Sequence, residues 1–158
     1  MPLVDVTVDT NVFMHACNPN EPRYADSISF VNTLLTSIAS LAIDAGFSTE
    51  PAKNTSLIGA EYLAKLVPGS LPHYAVAHLA LNGRVAVYGS SLSPQLSRKL
   101  NQMVANRRDR SFVKVAANSQ SSHLVSHDYA DFARAKRKAI RTTFGVDMVD
   151  AAVCCPLL

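Results

Sequence analysis

The chain has 158 residues and a formal net charge of +3, from 15 Lys and Arg against 12 Asp and Glu, and its apolar fraction of 48% suffices for one core, so a single domain over residues 1–158 is expected. No apolar run approaches the roughly 20 residues of a membrane span, and MPLVDVTVDT lacks the basic and apolar regions of a signal peptide, which sets the expectation of a cytoplasmic protein without a membrane partner. Cys17, Cys154 and Cys155 form neither a CxxC pair nor a zinc spacing with the histidines and read as thiols in a reducing compartment.

Residues 3–8, LVDVTV, are rich in β-branched side chains and run into Asp9-Thr10-Asn11, the signature of a strand that ends in a turn. Ile28, Val31, Leu34, Leu35, Ile38 and Leu41 then recur at helical spacing and predict a helix from about Tyr24 to Ala42. LAIDAGF is a candidate short strand carrying Asp44, and the loop STEPAKNTS offers a cap for a helix from Ser56 to Leu66. A further helix is predicted from about Pro72 to Leu81, stopped by Asn82-Gly83, and RVAVYG reads as a strand. Ser93-Pro94 opens a helix to about Asn106, and another runs from Asp109 to about Ser119. HLVS, residues 123–126, is an apolar strand entering Asp128; a basic helix runs from Asp131 to about Gly145, and VDMVDAAV holds a last short strand.

Strands alternating with helices imply an α/β fold: a three-layer α/β/α sandwich with a mostly parallel central sheet and right-handed crossovers. Ligands of such sheets bind beyond the carboxyl ends of the strands, where both Asp9 and Asp128 lie. Glu61 borders an apolar helix face with Leu57 and Ala64, and Asp109 opens a helix whose Phe112 and Ala116 share its face. A carboxylate turned inward needs a cation or a donor, and oxygen ligands converging from separate elements suit Mg²⁺ or Mn²⁺. Asp9, Glu61, Asp109 and Asp128 are therefore the candidate metal ligands and catalytic acids. Asp131 competes with Asp128 as the fourth acid, Asp44 is a further candidate, and Asp5 adds a charge upstream in the first strand.

VDTNVF, EYL, DRSFVKVA and LVSHDYADF, in that order and over most of the chain, resemble a PIN domain. The resemblance implies a PIN-like fold and a metal-dependent endoribonuclease, with Asp9, Glu61, Asp109 and Asp128 as the four acids. It also implies that Asn11 and Ser126 assist them. Two cations would activate a water and stabilise the leaving oxygen, giving in-line hydrolysis of RNA. Small members of the family are often toxins held by an antitoxin, and others act in RNA processing or defence; an antitoxin or other regulatory protein is thus an implied partner besides RNA, and a homo-oligomer is left open.

Two basic clusters suit phosphates: Arg107, Arg108 and Arg110 around Asp109, and Arg134, Lys136, Arg137, Lys138 and Arg141 on the segment after Asp131. Two rival readings stand beside the nuclease. His127-Asp128 resembles the adjacent metal-binding pair of HD-type phosphohydrolases, and a catalytically inactive PIN-like module would bind RNA or protein without cutting.

Overall fold

The computed structural model describes residues 1–158. Five short strands, β1 (Asp5–Val8), β2 (Ser40–Asp44), β3 (Val85–Tyr88), β4 (His123–Val125) and β5 (Asp147–Val149), form one sheet. Their order is β3-β2-β1-β4-β5, and every neighbouring pair is parallel. The connections carry α1 (Thr10–His15), α2 (Tyr24–Thr36), α3 (Leu57–Lys65), α4 (Leu71–Leu81), α5 (Pro94–Met103), α6 (Arg107–Asn118) and α7 (Arg134–Phe144), and α8 (Ala151–Cys154) follows β5. The α/β architecture expected from the sequence is the one found. No helix is long and apolar enough to cross a membrane, and all three cysteines are free.

β1 is buried along its whole length because it lies between β2 and β4, and helices cover the sheet; Val6, Val8, Phe13, Leu41, Val113 and Val125 meet in one core. From β1 the chain first builds outward through β2 and β3, then returns to place β4 on the other side. The sheet therefore has a switch point between the carboxyl ends of β1 and β4, where adjacent connections leave in opposite directions. Asp9 follows β1 and Ser126 follows β4 at that point.

Several boundaries differ from expectation. α2 stops at Thr36, and Leu41 and Ala42 belong to β2. Arg84 ends the helix early: its guanidinium donates to the carbonyls of Leu34 at 2.7 Å and Leu35 at 2.8 Å, satisfying acceptors that a continuing helix would use. Ser37 then accepts from Ala39 N at 3.2 Å and turns the chain into β2. Asn106 does not end α5; it caps α6, accepting from Arg108 N at 2.9 Å. α7 begins at Arg134, not Asp131, because Asp128 Oδ1 takes the amides of Ala130 at 3.0 Å and Asp131 at 2.9 Å and holds these residues in a turn. Gly145 ends α7 with φ of 71°, a left-handed cap that favours glycine.

Candidate metal centre

Asp9 leaves β1 as the N-cap of α1 and is almost fully buried. Its carboxylate is held on two sides: Ser126 Oγ donates to Oδ2 at 2.8 Å, and Asn11 Nδ2 donates to the same oxygen at 3.0 Å. Asn11 in turn accepts from His127 N at 3.1 Å, and Ser126 Oγ accepts from Asp128 N at 3.1 Å. The ends of β1 and β4 are thereby stitched together by side chains, and both assisting residues expected from the sequence touch Asp9 directly. Burial pushes the Asp9 carboxyl up to about 6; the bonds from Ser126 and Asn11 pull it down, and the charges of Asp128 and Glu61 push it up further.

Glu61 reaches the same region from α3, with its side chain 15% exposed, and pairs with Arg108 Nη1 at 2.8 Å. The helix that carries it is anchored twice. Tyr62 donates its buried hydroxyl to the carbonyl of Val8, and Asp44 takes the amides of Leu57 at 2.7 Å and Ile58 at 3.1 Å together with the Ser56 hydroxyl. Asp44 is thus committed to the N-terminus of α3, where a carboxylate satisfies orphan amides and opposes the helix dipole, and it is not among the converging acids. Asp5 is likewise occupied, by Tyr88 Oη and the amides of Gln120 and Ser121 at 3.0 Å each, which fastens the start of β1 to the loop before β4.

Asp109, in the first turn of α6, faces Asp128 and Asp131, and these carboxylates offer oxygens that all lie within 4.8 Å of one another. Both competitors for the fourth position are therefore present: the charge of Asp128 acts on Asp9 and on Asp109, and that of Asp131 on Asp109. Burial pushes the Asp109 carboxyl up to about 7, aided by the charges of Asp9, Asp131 and Asp128. Asp109 Oδ2 is buried without a hydrogen-bond partner.

These features fit a hard divalent cation. Opposite oxygens on one octahedral Mg²⁺ stand about 4.2 Å apart, close to the spread seen here. Each pair of charged carboxylates at 4.8 Å repels by about 3.5 kcal/mol at an effective dielectric of 20, which a cation would reverse. The orphaned Asp109 oxygen supplies a ligand atom with no competing bond.

The basic residues separate into two kinds. Arg107 and Arg108 on α6 and Arg134 and Lys138 on α7 are exposed, and Lys136 is half-buried. Arg137 corrects the expectation of a phosphate contact. It is 8% exposed; Nε donates to Phe132 O at 2.8 Å, Nη2 to Ser126 O at 2.9 Å and Asp128 O at 3.4 Å, and Nη1 meets Asp150 Oδ1 at 3.4 Å. Its plane also lies over the Tyr129 ring, 4.0 Å from the centroid. The guanidinium commits four of its five N–H donors to these partners and fixes the backbone that carries Ser126 and Asp128. Arg110 donates to Val104 O at 3.3 Å, and Arg141 pairs with Asp147 at 3.0 Å.

One pair of side chains is brought together only by the fold. His15 and His127 stack with centroids 5.1 Å apart and bring their Nδ1 atoms to 2.9 Å. His127 Nε2 accepts from Ala151 N at 3.2 Å, so Nδ1 carries the proton and donates to His15. Burial holds His127 down to about 4, with the charges of Arg23 and His15 acting the same way. Both His127 nitrogens are engaged away from the acids, and the residue lies in the loop after β4, which removes the helical His-Asp metal pair. The adjacency of His127 to Asp128 was the one available signal, and it did not point to the stacked pair.

No family model matches the chain, and neither a curated protein nor a solved structure matches it.

Proposed function

We propose that this protein is a metal-dependent endoribonuclease of the PIN type, using Mg²⁺ or Mn²⁺ held by Asp9, Glu61, Asp109 and Asp128. The observation that carries the reading is the cluster of Asp109, Asp128 and Asp131, whose carboxylate oxygens lie within 4.8 Å of one another with one Asp109 oxygen left without a partner, beside the buried Asp9, on which the charges of Asp128 and Glu61 act. Divalent cations bound there supply a water of lowered pKa and a Lewis acid for the leaving oxygen, the chemistry of in-line cleavage to a 5′-phosphate and a 3′-hydroxyl.

The chain's own residues build and hold the ligand set. Asn11 and Ser126 fix the Asp9 carboxylate, the work expected of partners one step out from a metal. Arg137 fixes the Ser126–Asp128 backbone, and Asp131 adds negative charge beside Asp109 and Asp128. Arg107, Arg108 and Arg110 border Asp109 on α6, and Arg134, Lys136 and Lys138 lie on α7, where they would contact the RNA backbone. An antitoxin or other protein that covers the acids would regulate such an enzyme. Product-end analysis tests the reaction: fragments made from single-stranded RNA with Mn²⁺ should carry 5′-phosphates that a ligase accepts directly. Cyclic phosphate at the 3′ end would show that the 2′-hydroxyl attacks and that this mechanism is wrong.

A further inference from the structure

Beside the acids lies an open cavity of about 350 Å³ that the metal chemistry does not use. It lies between the carboxyl-terminal ends of α1 and α3, which pack together through an edge-to-face contact of Phe13 and Tyr62 with ring centroids 5.2 Å apart. Asn11 lines the cavity and also donates to Asp9, so the two sites share a wall. One helical turn beyond Asn11 comes His15, and one turn beyond Glu61 comes Lys65; both of these later residues line the cavity as well.

We infer that this cavity binds the base of a nucleotide next to the scissile phosphate, and that it selects guanine. The inference rests on the nuclease reading for its link to cleavage. Met14 and Val67 are 43% and 55% exposed at the cavity and give an apolar surface on which a base can lie. The polar groups are of complementary kinds. Glu21 offers an acceptor-only carboxylate whose ionic neighbour, His15 Nε2, is 3.7 Å away, beyond a hydrogen bond. Guanine presents two adjacent donors, N1–H and the N2 amino group, that match a carboxylate in bidentate fashion; adenine, cytosine and uracil do not. Asn18 uses its Oδ1 to accept from Asn20 N at 3.1 Å, which leaves its amide nitrogen as a donor for guanine O6 or N7. Lys65 is exposed at the rim and supplies a cation for the adjoining phosphate.

The four nucleoside 5′-monophosphates, titrated in EDTA into ¹⁵N-labelled protein, test the pocket without cleavage. GMP should shift the amide signals of Asn18, Glu21 and Lys65 and bind at least tenfold more tightly than AMP, CMP or UMP, and Glu21→Gln should erase that preference while leaving the remaining spectrum in place. In parallel, a random single-stranded RNA pool with Mn²⁺ should give cuts enriched for guanine at one flanking position, an enrichment that Glu21→Gln removes. Equal binding of all four nucleotides, or shifts elsewhere, would overturn the guanine pocket even if the pool is cut. Guanine-selective binding without any cutting of the pool would leave the pocket standing and sink the nuclease.

Discussion

Arg108 Nη1 lies 2.8 Å from Glu61 Oε1, so the carboxylate that α3 brings to the site is already engaged by a side chain that is itself 66% exposed. A cation that recruits Glu61 must displace this partner. Exposed ion pairs of this kind contribute at most about 1 kcal/mol, which corresponds to roughly fivefold in a binding constant. Arg108→Ala should therefore tighten Mn²⁺ binding by up to about fivefold, read by calorimetry, while weakening RNA binding. Weaker Mn²⁺ binding by the variant would show that Arg108 supports the ligand set instead of competing for it.

The raised acids make the metal-free fold sensitive to pH. Asp9 and Asp109 shift from an ordinary 3.8 to about 6 and about 7, so the stability they contribute is complete below about pH 4 and is lost as pH rises through those values. His127 acts oppositely, since a folded value lowered to about 4 contributes stability at neutral pH that is lost on acidification. Comparing wild type with Asp9→Asn cancels the histidine. In EDTA, the Tm of wild type should fall relative to the variant between about pH 4 and pH 7, and the two curves would run parallel if Asp9 were ionised without cost.

Asp128 and Asp131 both face Asp109, yet they are not equivalent. Asp128 acts on Asp9, is positioned by Ser126 and Arg137, and itself accepts the amides of Ala130 and Asp131, whereas Asp131 is exposed. Loss of a ligand should cost turnover on the order of 100-fold or more, and loss of an outer partner roughly tenfold. Asp128→Asn should accordingly reduce RNA cleavage by at least ten times more than Asp131→Asn. The reverse order would make Asp131 the fourth ligand.

The basic residues of α7 should divide by burial. Arg137→Met strands the carbonyls of Phe132, Ser126 and Asp128 and breaks a buried pair with Asp150, so it should lose on the order of 3 kcal/mol in urea unfolding. Neutralising Arg134, Lys136 and Lys138 together should leave stability unchanged and lower the salt slope of RNA binding by about 2. An unaltered slope would return these residues to an ordinary solvated helix face.

Strand and helix order were readable because each element carries its own period: the β-branched run 5–8, the Ser93-Pro94 start and the Gly145 stop all operate within a few residues. The candidate acids were readable for a related reason, since Asp9 and Asp128 stand at strand ends that a parallel sheet brings side by side. What escaped depends on distant partners. Arg84 ends α2 from about 50 residues away, as its bonds to Leu34 and Leu35 show, and no local pattern marks it. Arg137 looked like its exposed neighbours because charge says nothing about which helical face meets the sheet until the packing is known. Asp44 resembled a ligand for the same reason that it caps α3: both tasks put a carboxylate at a strand end.

Cleavage of single-stranded RNA as a function of Mn²⁺ concentration, measured for wild type and for a folded Asp9→Asn variant, tests the central claim most directly. Asp9 is buried at the end of β1, where Asn11 and Ser126 donate to it, so Asp9→Asn would remove the proposed ligand with little change in volume. Wild type should cut with saturable dependence on Mn²⁺ and stop in EDTA, and the variant should be slower by at least about 100-fold at every concentration. Cleavage that persists in EDTA, or a variant that keeps the wild-type rate, would contradict the account.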